Sequence, residues 1–351
     1  MYLAWLLLLP LLTPLIAKAL KYDLNWQEIL MQLVLVTALV FGGYKLTEKG
    51  MMADTEIWNG SIADKKRVRV SCEHSYQCNC VTDKDGKQTC QTCYEHSHDY
   101  DWRVYTNVGD FNIRRINRQG TKEPPRFTEV VIGEPAATEH TYDNYVQAAN
   151  GSLYKTQMLD YEHLADVPEY PRVFDYYRAH RVLTSGFSLK DADHWQDLLN
   201  QELIHLGPSK QANVNLIITT EKSREYVFKV EAAWDGLNKN DVVVILSVDA
   251  TDTINWAHVL TWAGGYGNEE MAVYLRDELQ NIGTISDPHA IVHAISEEVD
   301  AHFVRPQMKQ FAYLKSQINP PTWALVMLFL VGMGASLGLT RYFHRNDVRF
   351  L

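Results

Sequence analysis

Three long apolar runs, two at the start and one near the end, constrain this 351-residue chain more than any other feature. Leu3 to Ala19 reads LAWLLLLPLLTPLIAKA, Ile29 to Leu46 reads ILMQLVLVTALVFGGYKL, and Trp323 to Leu339 reads WALVMLFLVGMGASLGL. Each approaches the length that crosses about 30 Å of hydrocarbon as a helix, so each is expected to be a transmembrane span. Pro10 and Pro14 are expected to kink the first span, which membrane helices tolerate better than soluble ones. A signal peptide is the alternative for that run, since Ala17-Lys18-Ala19 has a small-x-small form. No basic residue precedes Leu3, however, and a signal peptide has a positive leading region. Gly334 and Gly338 are spaced to let two helices approach closely, the sequence basis for expecting a homo-oligomer.

Basic residues set the expected orientation. Arg341, Arg345 and Arg349 follow the last run, and Lys18 and Lys21 lie in the first loop; both groups belong on the cytoplasmic side. The large central region then lies outside the cytoplasm, although Lys45 and Lys49 pull the other way. The expected division is two membrane helices with a short loop over residues 1–50 and a tyrosine-rich, cysteine-containing, mostly β region over 51–185. An α/β domain over 186–305 follows, and then a linker, membrane helix and basic tail over 306–351.

A formal net charge of −10 argues against a nucleic-acid surface, which needs Lys and Arg to displace phosphate counterions. Acidity itself names no partner; the apolar runs make a membrane one expected partner, and another protein is the other.

All five cysteines fall between Cys72 and Cys93. Cys78, Cys80, Cys90 and Cys93 form C-x-C-x9-C-x2-C around a polar turn, a spacing that suits one structural zinc. Cys72, His74, His96 and His98 are additional candidate ligands. Two disulfides are the competing reading, favoured by an extracytoplasmic location. Either way the role is structural, because this segment has too few apolar residues to hold a core. Farther on come many tyrosines: Tyr142, Tyr145, Tyr154, Tyr161, Tyr170, Tyr176 and Tyr177. They suit either half-buried packing or a carbohydrate or peptide surface. The segments KKRVRVS, DWRVYTNVG and RFTEVVIGE read as strands.

The stretch from Asp191 to Asn281 alternates helix and strand. Asp191 to Leu206 reads as an amphipathic helix capped by Asp191, with Trp195, Leu198, Leu199, Leu203 and Leu206 on one face, stopped by Gly207-Pro208. Val214 to Ile218 is a short strand, a helix capped by Ser223 carries Tyr226, Val227, Val230 and Trp234, and Val242 to Val248 is a strand buried on both faces. A helix between two such strands is the crossover of an α/β sheet.

From Phe187 to Phe303 this order of elements resembles the TPM domain family. The resemblance rests on Asn240-Asp241 leading into VVVILSV, on Asp249 and Asp252 after it, and on GGYGNEE before a helix. It implies a small α/β/α fold tethered by a membrane helix. An arginine usual in the family after the strand's aspartate is missing, and a Trp-rich insert spans Asn255 to Trp262. The whole chain, including TEIWNG and the cysteine cluster, is also similar to membrane proteins encoded by tailed bacteriophages. The TPM resemblance implies either an accessory role in membrane complexes or phosphatase activity with divalent cations in acidic loops. The matching positions are Asp241, Asp249, Asp252, Glu269 and Asp277, which would hold a hard cation such as calcium; helix caps and solvated loops explain the same residues. No G-x-S-x-G, Walker A, HExxH or G-x-G-x-x-G motif is present, and His258, His289, His293 and His302 form no readable triad. His289 and His293 share a helix face. The expectation is a non-enzymatic interaction or assembly protein, with a divalent-metal-dependent phosphatase of TPM type as the alternative.

Overall fold

The computed structural model describes residues 2–153 and 166–346, so Tyr154 and Tyr161 lie outside the described residues. In chain order the elements are α1 (Tyr2–Ala19), α2 (Trp26–Met52), β1 (Ala53–Val70), β2 (Ser75–Thr82), β3 (Gln88–Tyr94), β4 (Asp99–Thr106), β5 (Phe111–Ile113), α3 (Pro125–Glu129), β6 (Pro135–Asp143) and α4 (Tyr145–Ala148). There follow β7 (Val173–Phe174), β8 (Arg178–Ala179), β9 (Val182–Ser185), α5 (Ala192–Lys210), β10 (Asn213–Thr219), α6 (Tyr226–Ala233), β11 (Asp241–Val248), β12 (Ile254–Thr261), the kinked turn α7 (Trp262–Gly265), α8 (Glu269–Ile282), α9 (Pro288–His302), a 3₁₀ turn (Met308–Gln317) and α10 (Thr322–Asn346). They fall into two compact units: Met1–Asp54 with Thr141–Lys155 and Gln307–Leu351, and Thr55–His140 with Thr156–Pro306.

In the first unit α1, α2 and α10 pack together around Leu6, Val36 and Val40 at one level and Ala17, Ile29 and Phe343 at another. α2 and α10 are long and apolar enough to cross a membrane; α1 is apolar but shorter. Proline explains one detail of their packing. Pro14 has no N–H, so the carbonyl of Pro10, four residues earlier, loses its helical donor. The Ser336 hydroxyl of α10 donates to that carbonyl at 2.6 Å. Gln32 of α2 completes the node, donating to the Ser336 hydroxyl at 2.8 Å and to Thr340 at 2.9 Å. Small residues sit where helices touch: a Cβ on Gly332 would meet Val40 at 2.8 Å, and one on Gly43 would meet Leu328 at 2.5 Å. Gly334 and Gly338 have open space around them, so the close approach inside this bundle uses Gly332 and Ser336 instead.

The second unit contains two four-stranded sheets. In the order β5-β4-β1-β6, β1 pairs antiparallel with β4 and β4 with β5. Trp102, Val104, Ile62, Ile113 and Phe127 form the core on one side of this sheet. The segment RFTEVVIGE does not form the expected strand. Pro125 at the first helical position, preceded by Pro124, starts the turn α3 instead, and pairing resumes at Pro135.

The other sheet runs β12-β11-β10-β9, with β9, β10 and β11 parallel and β12 antiparallel at the edge. Period-2 alternation divides its side chains between two layers. Val242, Val244 and Leu246 face α5, α8 and α9, whereas Val243 and Ile245 face α6. This is a three-layer α/β/α sandwich. The Trp-rich segment Asn255 to Trp262 supplies its fourth strand, and β9, expected in the β region, supplies the other edge. Two expectations for α5 change. The Asp191 side chain makes no cap, and the helix runs through Gly207-Pro208 to Lys210. Gly207 is there because β1 lies against the helix: a Cβ would come within 1.9 Å of the Asn59 carbonyl.

Candidate functional site

The cysteine segment forms the antiparallel hairpin β2–β3, closed by the turn at Asp83 to Lys87. Cys78 stands at disulfide distance from Cys93, and Cys80 from Cys90. Pairing runs across the hairpin. The C-x-C and C-x2-C spacings disfavour a bond within each motif but not between facing strands. Sulfurs bonded in pairs are not four thiolates around one ion, so in this structure the disulfide alternative replaces the zinc expected at Cys78, Cys80, Cys90 and Cys93. The hairpin is exposed along almost its whole length, with Tyr76, Val81 and Tyr94 more than half accessible.

Cys72 remains a free, buried thiol just before β2. Its Sγ lies 3.7 Å from His96 Nδ1, just after β3, and the same nitrogen lies 3.2 Å from Oδ1 of Asp99, the first residue of β4. Among the described residues this is the group of Cys, His and acidic side chains whose donor atoms converge, all within 4.8 Å of one another. Asp99 has no exposed surface. Its Oδ2 accepts from the Glu73 N–H at 3.2 Å and from Arg115 at 3.1 Å, while Oδ1 has no hydrogen-bond donor. Burial pushes this carboxyl up, but the Glu73 N–H, Cys72 and Arg115 together outweigh it and hold the pKa below the ordinary value. Arg115 is fixed in turn by Asp101, to which it donates through Nε at 2.9 Å. Of the other cysteine-region candidates, His74 receives the Glu95 N–H on its carbonyl, and His98 shares a 2.9 Å hydrogen bond with Tyr100. The one sequence signal for Asp99 is its place three residues after His96.

The five acidic positions are not brought together. Asp241 and Asp249 lie at opposite ends of β11, and a rise of about 3.3 Å per residue separates them by well over 20 Å. Asp241 is fully buried and accepts from Asn213 at 2.7 Å, from Tyr170 at 3.0 Å and from the Asn238 N–H at 2.8 Å. Burial raises its carboxyl to about 6. Asp249 is exposed and closes its own loop, accepting from the Thr251 and Thr253 N–H groups, and the Thr251 hydroxyl and these amides hold its pKa down. Asp252 has the left-handed backbone of that loop. Glu269 lies in the first turn of α8, and Asp277 accepts from its neighbour Arg276. The GGYGN turn has a structural use: buried Asn268 exchanges hydrogen bonds with the backbone of Val304. His289 and His293 do not act as a pair, since His289 packs edge-on against His194 and His293 faces Glu297.

Asp241 belongs to a buried polar network that sequence did not suggest. Arg181, fully enclosed, donates to Asn59 and Asn213. Burial lowers its guanidinium pKa to about 10, opposed by the charges near Tyr170 and Asp241. Glu56 is buried beside two cations, Arg305 at 3.0 Å and Lys239 at 3.4 Å. Asn240 donates to the Ile57 carbonyl at 2.7 Å. The TEIWNG segment thus ties β1 to the α/β sandwich. A cleft of about 290 Å³ beside it is lined by Asn59, Tyr177, Arg178, Arg181, Gln196 and Asn200. Its polar groups are largely engaged with each other, Gln196 for instance bonding the backbone of Val182 through both ends of its amide. Of the tyrosines, Tyr142, Tyr170 and Tyr177 turn their hydroxyls to Asp54, Asp241 and Glu134, a packing role. No family model, curated protein or solved structure matches the chain.

Proposed function

We propose that this is a membrane-anchored protein whose α/β sandwich and disulfide-bonded hairpin lie outside the cytoplasm and serve a non-enzymatic interaction or assembly role. The exposed, doubly cross-linked hairpin carries the reading. A rigid finger bearing Tyr76, Val81 and Tyr94 on its surface loses little conformational freedom on binding, which favours affinity. Disulfides persist in oxidising compartments, and this agrees with the orientation derived from the basic residues of the tail. The apolar α2 and α10 supply the anchor in this reading.

Crosslinking and affinity capture of the full-length chain from its own membranes tests the role. Specific partners should be lost when Tyr76 and Tyr94 are changed to Ser, with the fold intact. Protease protection should place Asp101 outside and Arg345 in the cytoplasm; both on one side would remove the topology. Phosphatase turnover that needs a divalent ion and disappears in Asp249→Asn and Asp252→Asn would replace this reading with the enzymatic one.

A further inference from the structure

We infer that Cys72, His96 and Asp99 bind one divalent transition-metal ion of the zinc class, with solvent in the fourth position. Donors about 2.0–2.3 Å from a tetrahedral ion stand roughly 3.3–3.7 Å from one another. The observed separations are 3.7 Å from sulfur to nitrogen and 3.2 Å from nitrogen to oxygen, with all three donor atoms within 4.8 Å of one another, so a small closure of the sulfur–oxygen pair completes the shell. The second, independent observation is Asp99 Oδ1. It is a buried oxygen without a hydrogen-bond donor, aimed at His96, while Oδ2 is held by the Glu73 N–H and Arg115. Its nearest polar neighbour is His96 Nδ1 at 3.2 Å, and an ion between the two would replace that ring contact with a bond to a cation.

Two rival arrangements fit less well. A nucleophile relay through histidine needs one ring nitrogen for the thiol and the other for the carboxylate. Here Nδ1 faces both. A hard cation such as calcium takes an all-oxygen shell, whereas thiolate and imidazole select zinc and its neighbours. Binding converts the Cys72 thiol to thiolate and releases its proton to solvent. Arg115 and the Glu73 amide are positioning groups that orient Asp99. The ligands come from both ends of the β2–β3 stem and from β4, so the ion fastens the base of the hairpin to the sheet. The site stands whether or not the hairpin engages a partner.

The test uses the full chain purified in detergent without reductant, stripped with chelator and reloaded with zinc or cobalt(II). One equivalent of metal per chain is expected, with a thiolate-to-cobalt charge-transfer band. Cys72→Ser should abolish the band and weaken zinc binding by at least about 100-fold, and Arg115→Gln should weaken it about 10-fold. The double variant Cys78→Ser/Cys93→Ser should retain both metal and band. If Cys72→Ser does not fold, His96→Ala, whose side chain is partly exposed, must show the same loss of metal. A wild-type chain that takes up no metal overturns the assignment. So does metal retained in Cys72→Ser or in His96→Ala, or alkylation of Cys72 at an undiminished rate under saturating zinc.

Discussion

The sandwich sheet and the β2–β3 hairpin are both β structure, but they are held by different forces. Every residue of β10 and β11 is buried, so those strands are stabilised by apolar surface removed from water on two faces. β2 and β3 bury almost nothing, and a two-stranded hairpin alone in water is marginal at best. Two disulfides inside the hairpin and the Cys72–His96–Asp99 group at its base stand where a core would otherwise be. Cross-links replace burial in a segment too polar to collapse, and the freed surface remains open to solvent.

The buried network beneath the sandwich is where that half is easiest to break. Arg181→Met leaves the Asn59 and Asn213 oxygens without their donor and Asp241 without its nearby cation, and should cost about 3–5 kcal/mol in urea unfolding in detergent. The hairpin disulfides should be unaffected. Titration probes the same network from the acid side. The folded carboxyl of Asp241 titrates at about 6, against an ordinary value of 3.8. Between those values the folded chain holds a proton that the unfolded chain has released. Stability is therefore highest on the acid side of the window, falls as pH rises through it, and is flat above it. The change is about 3 kcal/mol at most. Comparison with Asp241→Asn across that range should isolate the slope, which the variant lacks.

Gly207→Ala is next in size. Its Cβ would meet the Asn59 carbonyl, so β1 and α5 must part, at about 1–3 kcal/mol. The helix bundle sharpens the comparison on a smaller scale. Ser336→Ala strips the Pro10 carbonyl of its donor and should weaken the bundle by about 1 kcal/mol in a detergent-unfolding assay. Gly338→Ala, with open space at its Cβ, should be neutral by the same assay.

The sandwich was largely legible in the sequence because period-2 and period-3.6 apolar patterns are local. NVNLIITT and DVVVILSV announce their strands, and Trp195, Leu199, Leu203 and Leu206 announce the face of α5. What was not legible depends on residues far apart in the chain. Gly207 looked like a helix stop, since nothing local says that the Asn59 carbonyl packs against it from nearly 150 residues away. Nothing in the local sequence marks Arg181, because its acceptors come from β1 and β10. The cysteine spacing was compatible with zinc or disulfides, and only the facing of β2 and β3 pairs the sulfurs. Asp99 is adjacent to the cluster in sequence, yet its burial and its approach to His96 exist only once β4 joins its sheet.

Hydrogen exchange on the full chain, with and without a mild reductant, tests the division between core-held and cross-link-held β structure most directly. On reduction, amides of β2 and β3 should lose their protection while those of β10 and β11 keep theirs, because no disulfide reaches the sandwich. Protection lost in β10 and β11 together with the hairpin, or retained in the hairpin after both bonds are reduced, would contradict the account.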